Sequence, residues 1–197
     1  MTSQFSCNSY VLHLFGPFPA SSVRFEYDPR DRLRFDPSAV VEKDRIITAL
    51  RAAGKTVHIL PLYRFRSLAK DPYGIVFHLG HTDFGEYLLT DISHPEQKGQ
   101  MASPISISAV TETADHTLLL GCRSPAVIGA QGMIQMLPGG YIHPPDILRG
   151  TVEKELHEEL AVTSGEIAGI VVTGFAQIRP SEKPEILLHV LLDIPLS

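Results

Sequence analysis

Apolar and polar positions alternate along much of this chain. Tyr10 to Phe15 and Val23 to Tyr27 alternate with the period of a half-buried strand, and Pro17, Pro19 and Ser21-Ser22 punctuate the space between them. Asp36 before Pro37 then reads as a helix cap followed by a first-turn proline. Val40, Val41, Ile46, Ile47 and Leu50 follow at mostly helical spacing, and Gly54 is a stop signal after Ala53. Val57 to Leu62, Gly74 to Leu79 and Glu86 to Leu89 are short strand candidates. His94 to Pro104 is polar, carries two prolines and reads as a linker.

Beyond Pro104 the strand signals become denser. Ile105 to Thr111 alternates, Thr117 to Cys122 has the look of a buried strand, and Met133 to Leu137 leads into Pro138-Gly139-Gly140. A helix is expected over roughly Pro145 to Val162 with Asp146 in its first turn, then strands at Ile170 to Ile178 and Ile186 to Leu192. Strands, glycine loop, helix and strands in that order predict an α/β fold with a mixed sheet. The expected division is an N-terminal α/β domain over residues 1–100 and a second domain over 101–197.

Composition adds exclusions. At 44% hydrophobic and 20% charged residues, 197 residues suit one domain or two small ones. Neither a membrane-spanning run nor the basic start of a signal peptide is visible. The cysteines Cys7 and Cys122 fit no metal or redox spacing, so a reducing cytoplasm is the expected location. Residues 1–105 hold 12 Lys and Arg against 11 Asp and Glu, whereas residues 106–197 hold 5 against 11. No attraction to nucleic acid is expected of that acidic half, and phosphate binding there would need a cation.

The acidity has a focus. Glu155, Glu158 and Glu159 fall at i, i+3 and i+4 on one helical face, where like charges repel. A hard divalent cation such as Mg²⁺, binding carboxylate and phosphate oxygens together, would remove that repulsion. The residues from Gly140 to Val162 resemble the Nudix box, Gly-x5-Glu-x7-Arg-Glu-aliphatic-x-Glu-Glu-x-Gly-aliphatic. Gly140, Asp146, Lys154, Glu155, Leu156, Glu158, Glu159, Ala161 and Val162 occupy its positions without insertion, behind a family-like Leu137-Pro138-Gly139-Gly140 lead-in. Asp146, Lys154 and Ala161 depart from the pattern's Glu, Arg and Gly.

The resemblance implies a Nudix α/β/α sandwich following the N-terminal domain. It also implies Mg²⁺- or Mn²⁺-dependent cleavage of a nucleoside diphosphate linked to another group, giving a nucleoside monophosphate and a phosphorylated product. Metal ligands are then Glu155 and Glu159, the Gly140 carbonyl, and Glu158 as ligand or water-activating base, with Asp146 and Lys154 supporting loop and helix. Leu120 to Ser124, Val127 to Gly129, Asp83 to Thr90 and Pro184 to Ile186 are similar to segments of a Nudix group acting on UDP-sugars, which makes a nucleoside diphosphate sugar or an ADP-ribose-like molecule the expected substrate.

Arg123, Glu185 and His143 are further candidates for substrate contact; Tyr141 and Phe175 are read as packing residues, and His78, His81, Asp83 and His94 as structural. Selectivity is expected from the N-terminal domain or from the second subunit of a homodimer, with no membrane and no nucleic acid as partner. The rival expectation is a catalytically silent, Nudix-like nucleotide sensor or interaction module.

Overall fold

Proline and glycine set the boundaries that the hydrophobic pattern leaves loose. The computed structural model describes residues 5–6, 10–93, 101–128, 131–178 and 183–195; Cys7, His94, Gly129, Glu182 and most of the expected linker lie outside them. In chain order the elements are β1 (Phe5–Ser6), β2 (Tyr10–Pro19), β3 (Val23–Arg32), α1 (Pro37–Ala52), β4 (Pro61–Asp71), β5 (Gly74–Asp83), α2 (Phe84–Tyr87), β6 (Ser106–Glu112), β7 (Leu118–Cys122), β8 (Ile134–Met136), β9 (Gly139–Tyr141), α3 (Leu148–Leu160), β10 (Ile167–Ile178) and β11 (Lys183–Leu192). The fold is mixed α/β, as the pattern predicts.

Several local expectations change. Residues 57–60 are irregular, and the strand begins at Pro61, where the missing N–H does least harm. Glu86 to Leu89 is helical, not extended. The Asp83 carboxylate accepts from the Glu86 N–H and starts α2, which continues as a π-helical turn over Leu88–Ser93. Strand β7 alternates exposed with half-buried positions and is not a buried strand. At the other helix of interest, Asp146 N–H bonds the His143 carbonyl in a turn, so α3 starts only at Leu148 and Asp146 lies outside its first turn. That helix ends at Leu160, two residues before the expected Val162, because Ala161 adopts the left-handed conformation (φ 56°, ψ 19°). Two hydrogen bonds, Ala161 N–H to His157 and Val162 N–H to Leu156, hold it there, and Val162 is buried.

The larger sheet runs β1-β2-β10-β11-β6-β7-β8, with β9 also paired to β6; β11 and β6 pair in parallel, and the other described pairs are antiparallel. The smaller sheet runs β3-β5-β4. The first long strand, β2, therefore hydrogen-bonds to β10 far along the chain. Backbone bonds from Tyr63 N–H to Ile142 and from Ile105 N–H to Tyr63 tie β4 to the segments around β6 and β9. Phe65 and Phe77 of the smaller sheet meet Phe175 at ring separations of 4.8 and 5.2 Å, so one apolar core spans both sheets.

Two features of this architecture position the acidic helix. Leu148, Val152 and Leu156 form a fully buried i, i+4, i+8 stripe that docks α3 on the sheet, leaving Glu155 and Glu159 beside it. Strand β6 carries β9 along its first residues and β7 along its last, so the sheet divides there. If the left-handed cap at Ala161 is strained as the residue type implies, Ala161→Gly will stabilise the protein by ~0.5–1 kcal/mol, read as a higher midpoint of thermal unfolding. An unchanged or lower midpoint would show that the cap carries no such strain.

Candidate active site

Gly140 and Glu155 make the closest contact of the site. Gly140 lies in β9 opposite Ile107, and a Cβ placed on it would lie 2.5–2.7 Å from the Glu155 carboxyl atoms. Only glycine leaves that carboxylate room against the backbone. One residue earlier, the Gly139 N–H donates to Glu159 Oε2 at 3.3 Å. The glycine pair of β9 and two acids one turn apart on α3 thus form a single juxtaposition of helix and strand.

Electrostatics follow from that packing. Burial, reinforced by Glu158, Glu159 and Asp146, pushes the Glu155 carboxyl up to about 7, against a smaller pull from Lys154. Burial also raises Glu159, while the Gly139 N–H and the Arg123 guanidinium act in the opposite direction. Glu158 is more exposed and lies 3.9 Å from the Lys154 ammonium. Lys154 pairs with that glutamate, and among the described residues no ion pair joins Lys154 to Asp146. Nor, among the described residues, do three His, Cys, Asp or Glu side chains converge as a ready-made metal cage. Glu155 lies against Gly140 and Glu159 against Gly139, while the more exposed Glu158 acts on both by its charge.

A cleft of about 570 Å³ opens where the sheet divides, and Gly139, Gly140 and Glu159 lie on its wall with Arg123 and Glu185. The Arg123 guanidinium donates to Gln135 Oε1 at 2.7 Å, which orients it within the cleft. Glu185 Oε1 receives the Lys183 ammonium at 2.9 Å and the Ser106 hydroxyl at 3.3 Å. Register sets Glu185, Ser106 and Tyr141 abreast on one face of the sheet, with Ile107 and Gly140 on the other. Glu185 therefore shares the cleft with the α3 acids without sharing their side of the sheet. His143 does not line the cleft; its Nδ1 lies 2.8 Å from the Pro61 carbonyl.

Lys183 and Gln135 are cleft residues that the sequence reading did not single out. The signal for Lys183 was its place two residues before Glu185 on one strand, which puts both on the same face. Gln135 carried no comparable signal. Tyr141 packs against Phe84 and Tyr87 with ring separations of 5.8 Å, and the Lys183 ammonium lies 5.2 Å from its ring. Among the described residues no helix is long and apolar enough to cross a membrane.

No family model matches the sequence, and no curated protein matches it either. Among solved structures, the chain is similar to the MutT protein from Methanosarcina mazei Go1, with 27% identity over 47% of this chain and 64% of that one. The chain therefore spans less than two thirds of that protein, and the TM-score is 0.35, an overlay too loose to assign a fold.

Two predictions concern Glu155 and Gly140. A carboxyl near 7 in the folded state, against ~4.3 when unfolded, ionises more readily in the unfolded chain. The resulting penalty on folding is absent below pH ~4, grows as pH rises, and is complete above ~7. Glu155→Gln should therefore stabilise the metal-free protein by ~2 kcal/mol at pH 8 and by less than half of that at pH 5; denaturant unfolding at both values decides it. Equal effects at the two values would contradict the assigned environment. Gly140→Ala displaces only the end of a flexible side chain, so it should leave the unfolding midpoint nearly unchanged while weakening Mn²⁺ binding by ~10-fold or more. Calorimetric titration with Mn²⁺ reads this, and full retention of binding would contradict it.

Proposed function

We propose that this chain is a Nudix-type pyrophosphohydrolase using Mg²⁺ or Mn²⁺. Its substrate is a nucleoside diphosphate linked to another moiety, a sugar or an ADP-ribose-like group, and its products are a nucleoside monophosphate and a phosphorylated compound. The observation that carries this reading is the Glu155 carboxylate closed on Gly140, with Glu159 on Gly139 beside it, at the wall of an open cleft.

The donor set fits the implied ion. Carboxylate oxygens and a glycine carbonyl are hard ligands that Mg²⁺ and Mn²⁺ prefer. Glu155 is crowded by like charges that a cation would offset. On this reading Glu155, Glu159 and the Gly140 carbonyl hold the metal. Bound there, a divalent cation supplies neutralisation of phosphoryl oxygens and a more acidic water.

The remaining steps belong to side chains. Glu158, exposed and only loosely engaged by Lys154, completes the shell or takes the proton of the attacking water on its free carboxylate oxygen. Arg123, steadied by Gln135, grips a phosphate with its planar fork. Lys183 and Glu185, which line the same cleft from the other face of the sheet, contact the substrate there, and Asp146 and Lys154 set the electrostatic surroundings of Glu155. Residues 1–100, or a second subunit, would select the group attached to the diphosphate.

One observation favours the alternative of a silent nucleotide sensor: among the described residues no three acids form a ready-made metal cage, and Lys154 pairs with Glu158 instead of with Asp146. A panel of nucleoside diphosphate sugars and ADP-ribose, assayed with Mg²⁺ and Mn²⁺, separates the readings. The hydrolase reading expects turnover of at least one, with Glu155→Gln, Glu158→Gln and Glu159→Gln each lowering kcat by ~10²-fold or more and nucleoside monophosphate binding retained. No turnover of any diphosphate, with nucleotide binding intact in all variants, would sink the hydrolase and leave the sensor.

A further inference from the structure

A second cavity lies away from the acidic helix. It measures about 390 Å³ and opens between strands β2 and β10 of the larger sheet and β4 of the smaller one. Two backbone irregularities border it. Phe175 pairs with Leu14 while Ala176 pairs with Leu12, so His13 is an inserted residue in β2. Across the cavity, Phe65 pairs with Leu79 while Ser67 pairs with His78, so Arg66 is inserted in β4 next to Phe65. Bulges of this kind re-aim side chains and gather at binding sites.

The bulge puts the His13 ring 5.7 Å from that of Phe175 and leaves its Nε2 fully buried without a hydrogen-bond partner. Native structures rarely leave such an atom unmatched, so it marks a place for a ligand atom. Lys70, on the same cavity, forms no ion pair among the described residues; its ammonium rests 4.9 Å from the Phe18 ring. Phe65 and Phe175 give the cavity an aromatic wall, their rings 4.8 Å apart and tilted by 47°. Two polar nitrogens and an aromatic wall are complementary to a flat ring bearing a negative charge.

We infer that this cavity is a second ligand site, for a small planar aromatic carboxylate. Its ring packs against Phe65, which the buried Phe175 backs, and its carboxylate takes the His13 Nε2–H and the Lys70 ammonium. The site is separate from the acidic cleft, with which it shares no lining residue.

The test uses 2-naphthoate as the probe and uncharged 2-naphthamide as its control, titrated into the full-length protein and followed by calorimetry and by amide shifts in NMR. Expected are sub-millimolar binding of 2-naphthoate, shifts confined to β2, β4 and β10, and about tenfold or more weaker binding of 2-naphthamide. His13→Phe and Lys70→Met should each cost about tenfold in 2-naphthoate affinity, and Lys70 is exposed enough that its variant tests the proposal even if the first unfolds. No binding of 2-naphthoate, equal binding of the amide, undiminished binding by Lys70→Met, or shifts centred elsewhere would each overturn the inference.

Discussion

The candidate active site depends on one close approach, that of the Glu155 carboxylate to the backbone of Gly140. It requires a residue without a side chain on β9 and a helix docked at the right height above it. The buried stripe of Leu148, Val152 and Leu156 sets that height. The turn at Asp146 and the left-handed residue at Ala161 set where the helix begins and ends. The cost is electrostatic: acids near one another and partly out of water are poorly tolerated as anions. Acids so perturbed beside a cleft mark a candidate functional site.

The division of the larger sheet makes the arrangement accessible. With β9 on one end of β6 and β7 on the other, the glycine strand faces an opening instead of a neighbouring strand along its whole length. Arg123, just past β7, and Glu159 of α3 reach that opening, while Lys183 and Glu185 reach it from β11. Elements from across the chain therefore meet around one backbone turn. The aromatic contacts of Phe65 and Phe77 with Phe175 brace β10 behind it, which ties the smaller sheet to the same core.

The acidic trio was legible because its geometry is local: spacing alone fixes which residues of a helix adjoin. Its link to Gly140 was legible only through the resemblance, since no periodicity reveals which strand a helix covers. Local propensity misread three places where context prevailed. Ala161 takes a glycine-like conformation because two hydrogen bonds and the burial of Val162 offset the strain. Glu86 to Leu89 became helical because Asp83 caps it, and β7 stayed half exposed near the edge of its sheet. The pairing of β2 with β10 and the dividing of the sheet at β6 are long-range events that strand patterns do not encode. Lys183 was within reach of reasoning by alternation; Gln135 beside Arg123 was not.

The central claim, that the Glu155–Gly140 approach is a divalent-cation site, is tested most directly by paramagnetic broadening of backbone amide signals with substoichiometric Mn²⁺. The account predicts that the amides of Gly139, Gly140 and residues 155–159 broaden first, and that Glu155→Gln abolishes the effect at the same Mn²⁺ concentration. Broadening centred elsewhere, or persisting undiminished in that variant, would contradict it.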